Sequence, residues 1–267
     1  MSGSEILVVL SRPEAAAACL HAAADAARAL PSPHLAILYV RVDSAATILP
    51  SEEVLTGERR SALLCQEAAD RAALHAAWVA WQPTAPPSTW TEVDGIPAEQ
   101  VPPRAQAAAL VVMALPGPHP PHLERNAFDA VLFESGRPVL AVPADWSGRF
   151  GLHLAVGWRD TPGTRRALAA ASPWLAAAAQ LSAIEIADAP AAPPPSPPAG
   201  ADAAFTCRTV PPAGRSDGAA LLAAAIEAGA DGLVLGTYRR GRMLEWMLGG
   251  VTEHVLRHAT LPLLLRH

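Results

Sequence analysis

The sequence predicts an α/β protein of two tandem domains, each a parallel sheet with helices on both faces. Three observations predict it. Short apolar runs alternate with alanine- and leucine-rich segments of helical spacing, the pattern of parallel strands joined by crossover helices. The pattern runs its course over residues 1–145 and restarts over residues 151–267. The two halves also match in letters: Val131-Leu132 followed by Pro138-Val139-Leu140 mirrors Val255-Leu256 followed by Pro262-Leu263-Leu264. A repeat one full domain long is a duplication rather than a solenoid.

In the first half, residues 6–10 form a β-branched run that reads as a buried strand. Residues 13–30 have helical spacing and stop at Pro31-Ser32-Pro33. Residues 34–42 alternate as a second strand, and residues 61–81 form a long helix closed by Gln82-Pro83. A third strand over 89–93 turns at Asp94-Gly95. Residues 97–108 read as a helix weakened by Pro102-Pro103. A strand over 110–114, a helix over 127–134 ended by Ser135-Gly136, and a strand over 138–142 complete the unit.

The second half gives strands over 152–158, 181–187, 205–210, 232–236 and 261–265, with helices over 164–179, 219–228 and 244–258. Its helix between strands two and three is missing. A proline-rich insert over 189–204 stands in its place, and Pro193-Pro194-Pro195-Ser196-Pro197-Pro198 cannot be helical. Deleting that helix predicts an uncovered sheet face that needs another surface, most simply a second chain in a homodimer. Glu185, Thr206 and Arg208 support the alternative, in which the strands are polar enough to stand alone.

Hydrophobic residues make up 51% of the chain, enough for a sizeable core, but few are aromatic. Net charge is −5 with no long single-sign block, which argues against a nucleic-acid partner. All 20 basic side chains other than histidine are arginine, which excludes a lysine nucleophile and a Walker-type loop. Cys19, Cys65 and Cys207 are odd in number and far apart, as expected of reduced thiols in a cytoplasmic protein. No signal sequence and no run of the ~18 apolar residues needed to span a membrane is apparent.

The chemically informative stretch is Gly236-Thr237-Tyr238-Arg239-Arg240-Gly241, with Gly249-Gly250-Val251-Thr252 after it. It leaves a strand and enters a helix at the strand edge where open α/β sheets bind ligands, so its backbone N–H groups can face an anion. Other candidates read as structural. His254 and His258 share a helix face but have no third metal ligand nearby in sequence. His119, His122 and Glu124 fall in a proline-rich loop. Asp160-Thr161-Pro162 reads as a helix start, with Asp160 or Thr161 as the cap. Met243, Trp246 and Met247 read as core or interface residues. No metal site and no catalytic residue is assigned.

The stretch from Ala230 to Thr237, together with Leu248-Gly249-Gly250-Val251-Thr252-Glu253 and Pro262-Leu263, resembles the C-terminal half of a universal stress protein domain. In the first half, Leu110-Val111-Val112-Met113 and Ser135-Gly136-Arg137-Pro138 resemble the same family. The resemblance implies a strand order of 3-2-1-4-5 in each domain and pairing of the two domains through their fifth strands, an internal pseudo-dimer. It also implies a glycine loop for ATP or AMP. Gly236 and Gly249 match that loop, while Arg239 stands at its second glycine and Gly250 at its Ser/Thr position. Carried over in this way, the nucleotide site comprises Asp160, Ile186, Gly236, Thr237, Arg239, Gly249, Gly250 and Val251. The acid often found after the family's first strand is replaced by Arg159, with Asp160 one position later. Arg239 and Arg240 either replace backbone contacts by charge or form a solvated loop. The first domain has Ser11-Arg12 where the acid would be, and the prolines of its loop over 115–122 (Pro116, Pro118, Pro120 and Pro121) remove backbone donors; it is expected not to bind nucleotide.

The resulting expectation is a non-enzymatic stress-response protein, acting through contacts with an unidentified protein partner or through a weak, degenerate nucleotide site. The alternative is an ATP- or AMP-binding module with slow or no hydrolysis. A Rossmann-like enzyme is disfavoured, because neither half opens with Gly-x-Gly-x-x-Gly after its first strand.

Overall fold

The computed structural model describes residues 4–42, 57–189, 204–237, 239–240, 247–248 and 250–267. In the first domain the elements are β1 (Glu5–Val9), α1 (Pro13–Ala27), β2 (His34–Arg41), α2 (Gly57–Trp81), β3 (Ser88–Asp94), α3 (Pro97–Ala105), β4 (Leu110–Ala114), α4 (His122–Glu134) and β5 (Val139–Val142). The second domain contains β6 (His153–Gly157), α5 (Pro162–Ala177), β7 (Gln180–Ile186), β8 (Ala204–Val210), α6 (Asp217–Glu227) and β9 (Gly232–Gly236). It continues with β10 (Arg239–Arg240), β11 (Met247–Leu248), α7 (Gly250–His258) and β12 (Leu263–Arg266).

Ten strands form one sheet in the order β3-β2-β1-β4-β5-β12-β9-β6-β7-β8. Each half has the expected 3-2-1-4-5 order with parallel neighbours, and the halves join antiparallel at β5 and β12. Leu140 lies opposite Leu264 at the centre of that seam. These two leucines occupy the same place in the sequence repeat, so a pseudo-twofold axis passes between them. The four β5 residues are 0% exposed, because the seam closes an edge that would otherwise be apolar and open.

Two apolar cores lie on opposite faces of the sheet, and each contains residues of both domains. On one face, α1 and α5 pack side by side, and the buried Trp174 indole Nε1 donates to the Ala26 carbonyl at 2.9 Å. On the other face, Arg125 of α4 donates to Glu253 of α7 at 3.0 Å and to Asp129 at 2.9 Å. The connection between the domains is fixed by two carboxylates. Asp25 accepts from Phe150 N, while Asp231 accepts from the backbone N–H groups of Gly151, Leu152 and His153.

Several boundaries differ from the sequence reading. The helix expected over 127–134 begins at His122, because Pro121 is extended and can sit before a first turn whose own N–H groups need no partner upstream. The helix expected over 244–258 is described as helix only from Gly250; Met247–Leu248 instead pairs antiparallel with Arg239–Arg240. The expected absence of a helix after β7 concerns residues 190–203, which lie outside the described residues, as do Met243 and Trp246. The β7 side chains on the face in question are covered: Leu181 is 1% and Ala183 2% exposed. The bare apolar surface that motivated a second chain is therefore not present on β7. Edge strand β8 is largely exposed, with Thr206 and Arg208 among its exposed residues.

All three cysteines are free; Cys19 is buried, and its thiol is pushed up to about 12 by that burial. Among the described residues no helix is long and apolar enough to cross a membrane, and no cluster of three or more His, Cys, Asp or Glu side chains is arranged to hold a metal. His254 and His258 stack on each other, with ring centroids 4.3 Å apart.

Candidate functional site

In the second domain, strand order reverses between β6 and β9, since the crossover from β6 leads away to β7 and that from β9 leads away to β12. A cleft opens at the C-terminal ends of these strands, the usual ligand position in an open α/β sheet. Its volume is about 480 Å³. Gly157 and Gly236 end the two strands at its floor, and Ile184 and Ile186 of β7 form one wall. Pro162 and Thr164 of α5 and Gly250, Val251 and Thr252 of α7 bring two helix N-termini to the rim. Leu221 and Asp217 of α6 close the far side.

Local sequence explains the helix starts. Thr161 is the N-cap of α5, its Oγ1 accepting from Thr164 N at 3.2 Å, and Pro162 holds the first turn. Asp160 is not the cap; its carboxylate faces out and pairs with Arg165, so it does not line the cleft. Ser216 caps α6 by accepting from Ala219 N.

Of the residues expected at a nucleotide site, Ile186, Gly236, Gly250 and Val251 converge here. Thr237 does not line the cleft: it is fully buried, and its hydroxyl has no hydrogen-bond partner among the described residues. Arg239 has its backbone in the two-residue strand β10, and Gly249 lies outside the described residues. Gly236 has a packing role independent of any ligand. A Cβ there would lie 2.5 Å from the carbonyl carbon of Gly163 and 2.7 Å from Thr164 N, so only glycine lets α5 approach β9 this closely.

Trp158, Arg159, Thr164, Asp217 and Leu221 also line the cleft. The first two follow directly from the end of β6, the same signal that singled out Asp160, and the one-residue offset is set by where β6 stops. Nothing local marks Asp217 or Leu221, which arrive only through packing of α6. Arg159 and Asp217 approach to 3.6 Å with both side chains largely exposed, a weak pair. The Trp158 indole Nε1 is buried and has no partner among the described residues.

The equivalent cleft of the first domain is smaller, about 240 Å³, and acidic. Glu67, Asp70 and Glu124 line it together with Tyr39. Arg12 is engaged locally, donating to the Leu115 carbonyl at 3.0 Å and lying 3.3 Å from Glu124. Burial pushes the Glu124 carboxyl up more than Arg12 pulls it down. Burial raises the Tyr39 hydroxyl, and the charges of Glu67, Asp70 and Glu92 raise it further. This cleft disfavours an anion.

Residues 162–267, which build most of the larger cleft, match the Universal stress protein family. That match covers the second domain from the start of α5 onward. The whole chain has the fold of a universal stress protein from Archaeoglobus fulgidus DSM 4304, with TM-score 0.64, 13% identity and coverage of 100% of this chain and 99% of that one. A functionally unknown protein from Pseudomonas aeruginosa PAO1 is also similar, with TM-score 0.52 and 13% identity over 98% of this chain and 92% of that one. No curated protein matches the chain. At these identities the likeness shows the fold alone: two consecutive domains of one topology joined through their fifth strands.

Proposed function

We propose that this chain is a non-catalytic stress-response protein whose second-domain cleft takes an adenine nucleotide weakly, and whose first-domain cleft takes none. The contrast between the clefts carries this reading. The larger one offers an apolar slot of ring-binding character, two helix N-termini and a loosely held Arg159. The smaller one presents three carboxylates and has its arginine already occupied. The match of residues 162–267 to the Universal stress protein family supports the stress-response role. Weak affinity follows from the departures at Arg239 and Gly250, which remove a loop glycine and a hydroxyl.

Isothermal titration of the full chain with ATP and AMP tests the reading. The expected Kd lies on the order of 10–1,000 μM. Ile186→Trp, which fills the larger cleft, abolishes the heat of binding, whereas Val42→Trp at the smaller cleft leaves it unchanged. Binding lost in Val42→Trp and retained in Ile186→Trp contradicts the assignment.

A further inference from the structure

A second cavity, about 400 Å³, lies between the domains. The antiparallel register, Leu265 opposite Val139, brings Arg266 at the end of β12 and Arg137 just before β5 to the same end of the seam. Both line this cavity. Its opposite wall is the face of α5 formed by Ala169, Ala170 and Pro173. Arg166 lies one turn earlier on that helical face. Arg137 donates to the Gln106 carbonyl, and Arg266 donates to the backbone oxygen of His267. Among the described residues, no side-chain carboxylate forms an ion pair with Arg137, Arg166 or Arg266.

We infer that the domain junction carries a site for a small, multiply charged phosphate compound, held by Arg137 and Arg266 with Arg166 beside them. Arginine forks suit phosphate oxygens, and each of the two lining guanidiniums keeps free N–H donors. Burial pushes the Arg266 guanidinium down, and the nearby charges of Arg166 and Arg137 push it further, a repulsion that a bound oxyanion relieves. Since the walls come from both domains, the site exists only in the tandem chain and an occupant cross-links the two halves. It is independent of the larger cleft and of any nucleotide bound there.

The test is titration of the full chain with sodium pyrophosphate, by calorimetry at about 50 and about 150 mM NaCl. The expected result is saturable binding that weakens with salt, falls at least about tenfold in Arg137→Gln and in Arg266→Gln, and is unchanged in Ile186→Trp. Circular dichroism checks that each variant is folded. If Arg266→Gln does not fold, Arg266→Lys keeps the charge without the fork and is expected to show a smaller loss in the same direction. No saturable binding by the unaltered chain overturns the site. So does binding that survives both arginine substitutions or is lost in Ile186→Trp.

Discussion

Arg125 serves two carboxylates that occupy equivalent places in the sequence repeat, Asp129 and Glu253, one from each domain. Their environments separate them. Burial pushes the Asp129 carboxyl up more than Arg125 pulls it down. Burial also pushes Glu253 up, but hydrogen bonds from Arg125 and Arg257 outweigh it and hold that carboxyl below its ordinary 4.5. A carboxylate whose folded-state pKa is depressed contributes stability above its unfolded pKa and loses it as pH falls through the folded value. Glu253→Gln should therefore cost about 1 kcal/mol at neutral pH, as for a partly exposed charged hydrogen bond. The difference should vanish well below pH 4.5. Urea unfolding at several pH values measures it. At the glycines, Gly236→Ala should cost about 1–3 kcal/mol through its clash with the α5 backbone. Gly250→Ala, whose Cβ would meet nothing within 4 Å, should leave stability nearly unchanged. Denaturation midpoints of the two variants check this contrast, which separates a packing glycine from a loop glycine within one motif.

The two α1–α5 and α4–α7 contacts hold the β5–β12 seam from opposite faces. Trp174→Phe keeps the ring but removes the N–H that satisfies the Ala26 carbonyl at 2.9 Å. Leaving a buried acceptor unpaired should lower stability by about 1–2 kcal/mol, read as a drop in the urea midpoint with an unchanged slope. The ladder itself was legible in the sequence. Residues 110–114 and 232–236 are strands with the expected bounds, because continuous β-branched and leucine runs bounded by polar turns have few alternatives. Strand order and the fifth-strand seam came from the family resemblance, since periodicity indicates only a parallel sheet. One misread segment is governed by strand pairing. Met247–Leu248 has leucine and methionine that suit a helix, yet pairs with Arg239–Arg240. The candidate site was half legible. Glycines and Val251 announced themselves by motif, whereas Leu221 and Asp217 reach the cleft only because α6 packs against α7 and β7.

Across the whole molecule, antiparallel pairing at the seam turns the two strand edges in opposite directions, so the clefts open at opposite edges of one ten-stranded sheet. Duplication supplied two equivalent positions, and side-chain chemistry made them unequal: acidic, narrow and internally paired in one, apolar and rimmed by helix N-termini in the other. The continuous cores on both faces make the tandem chain one packed body rather than two domains on a tether. Hydrogen–deuterium exchange of the full chain with and without saturating ATP tests this inequality most directly, because it reads both clefts in one experiment. The account predicts slowed exchange at Gly157–Arg159, Ile184–Ile186 and Gly250–Thr252, with none at Val9–Ser11 or Tyr39–Val42. Protection of the first-domain segments, or of neither set, would contradict it.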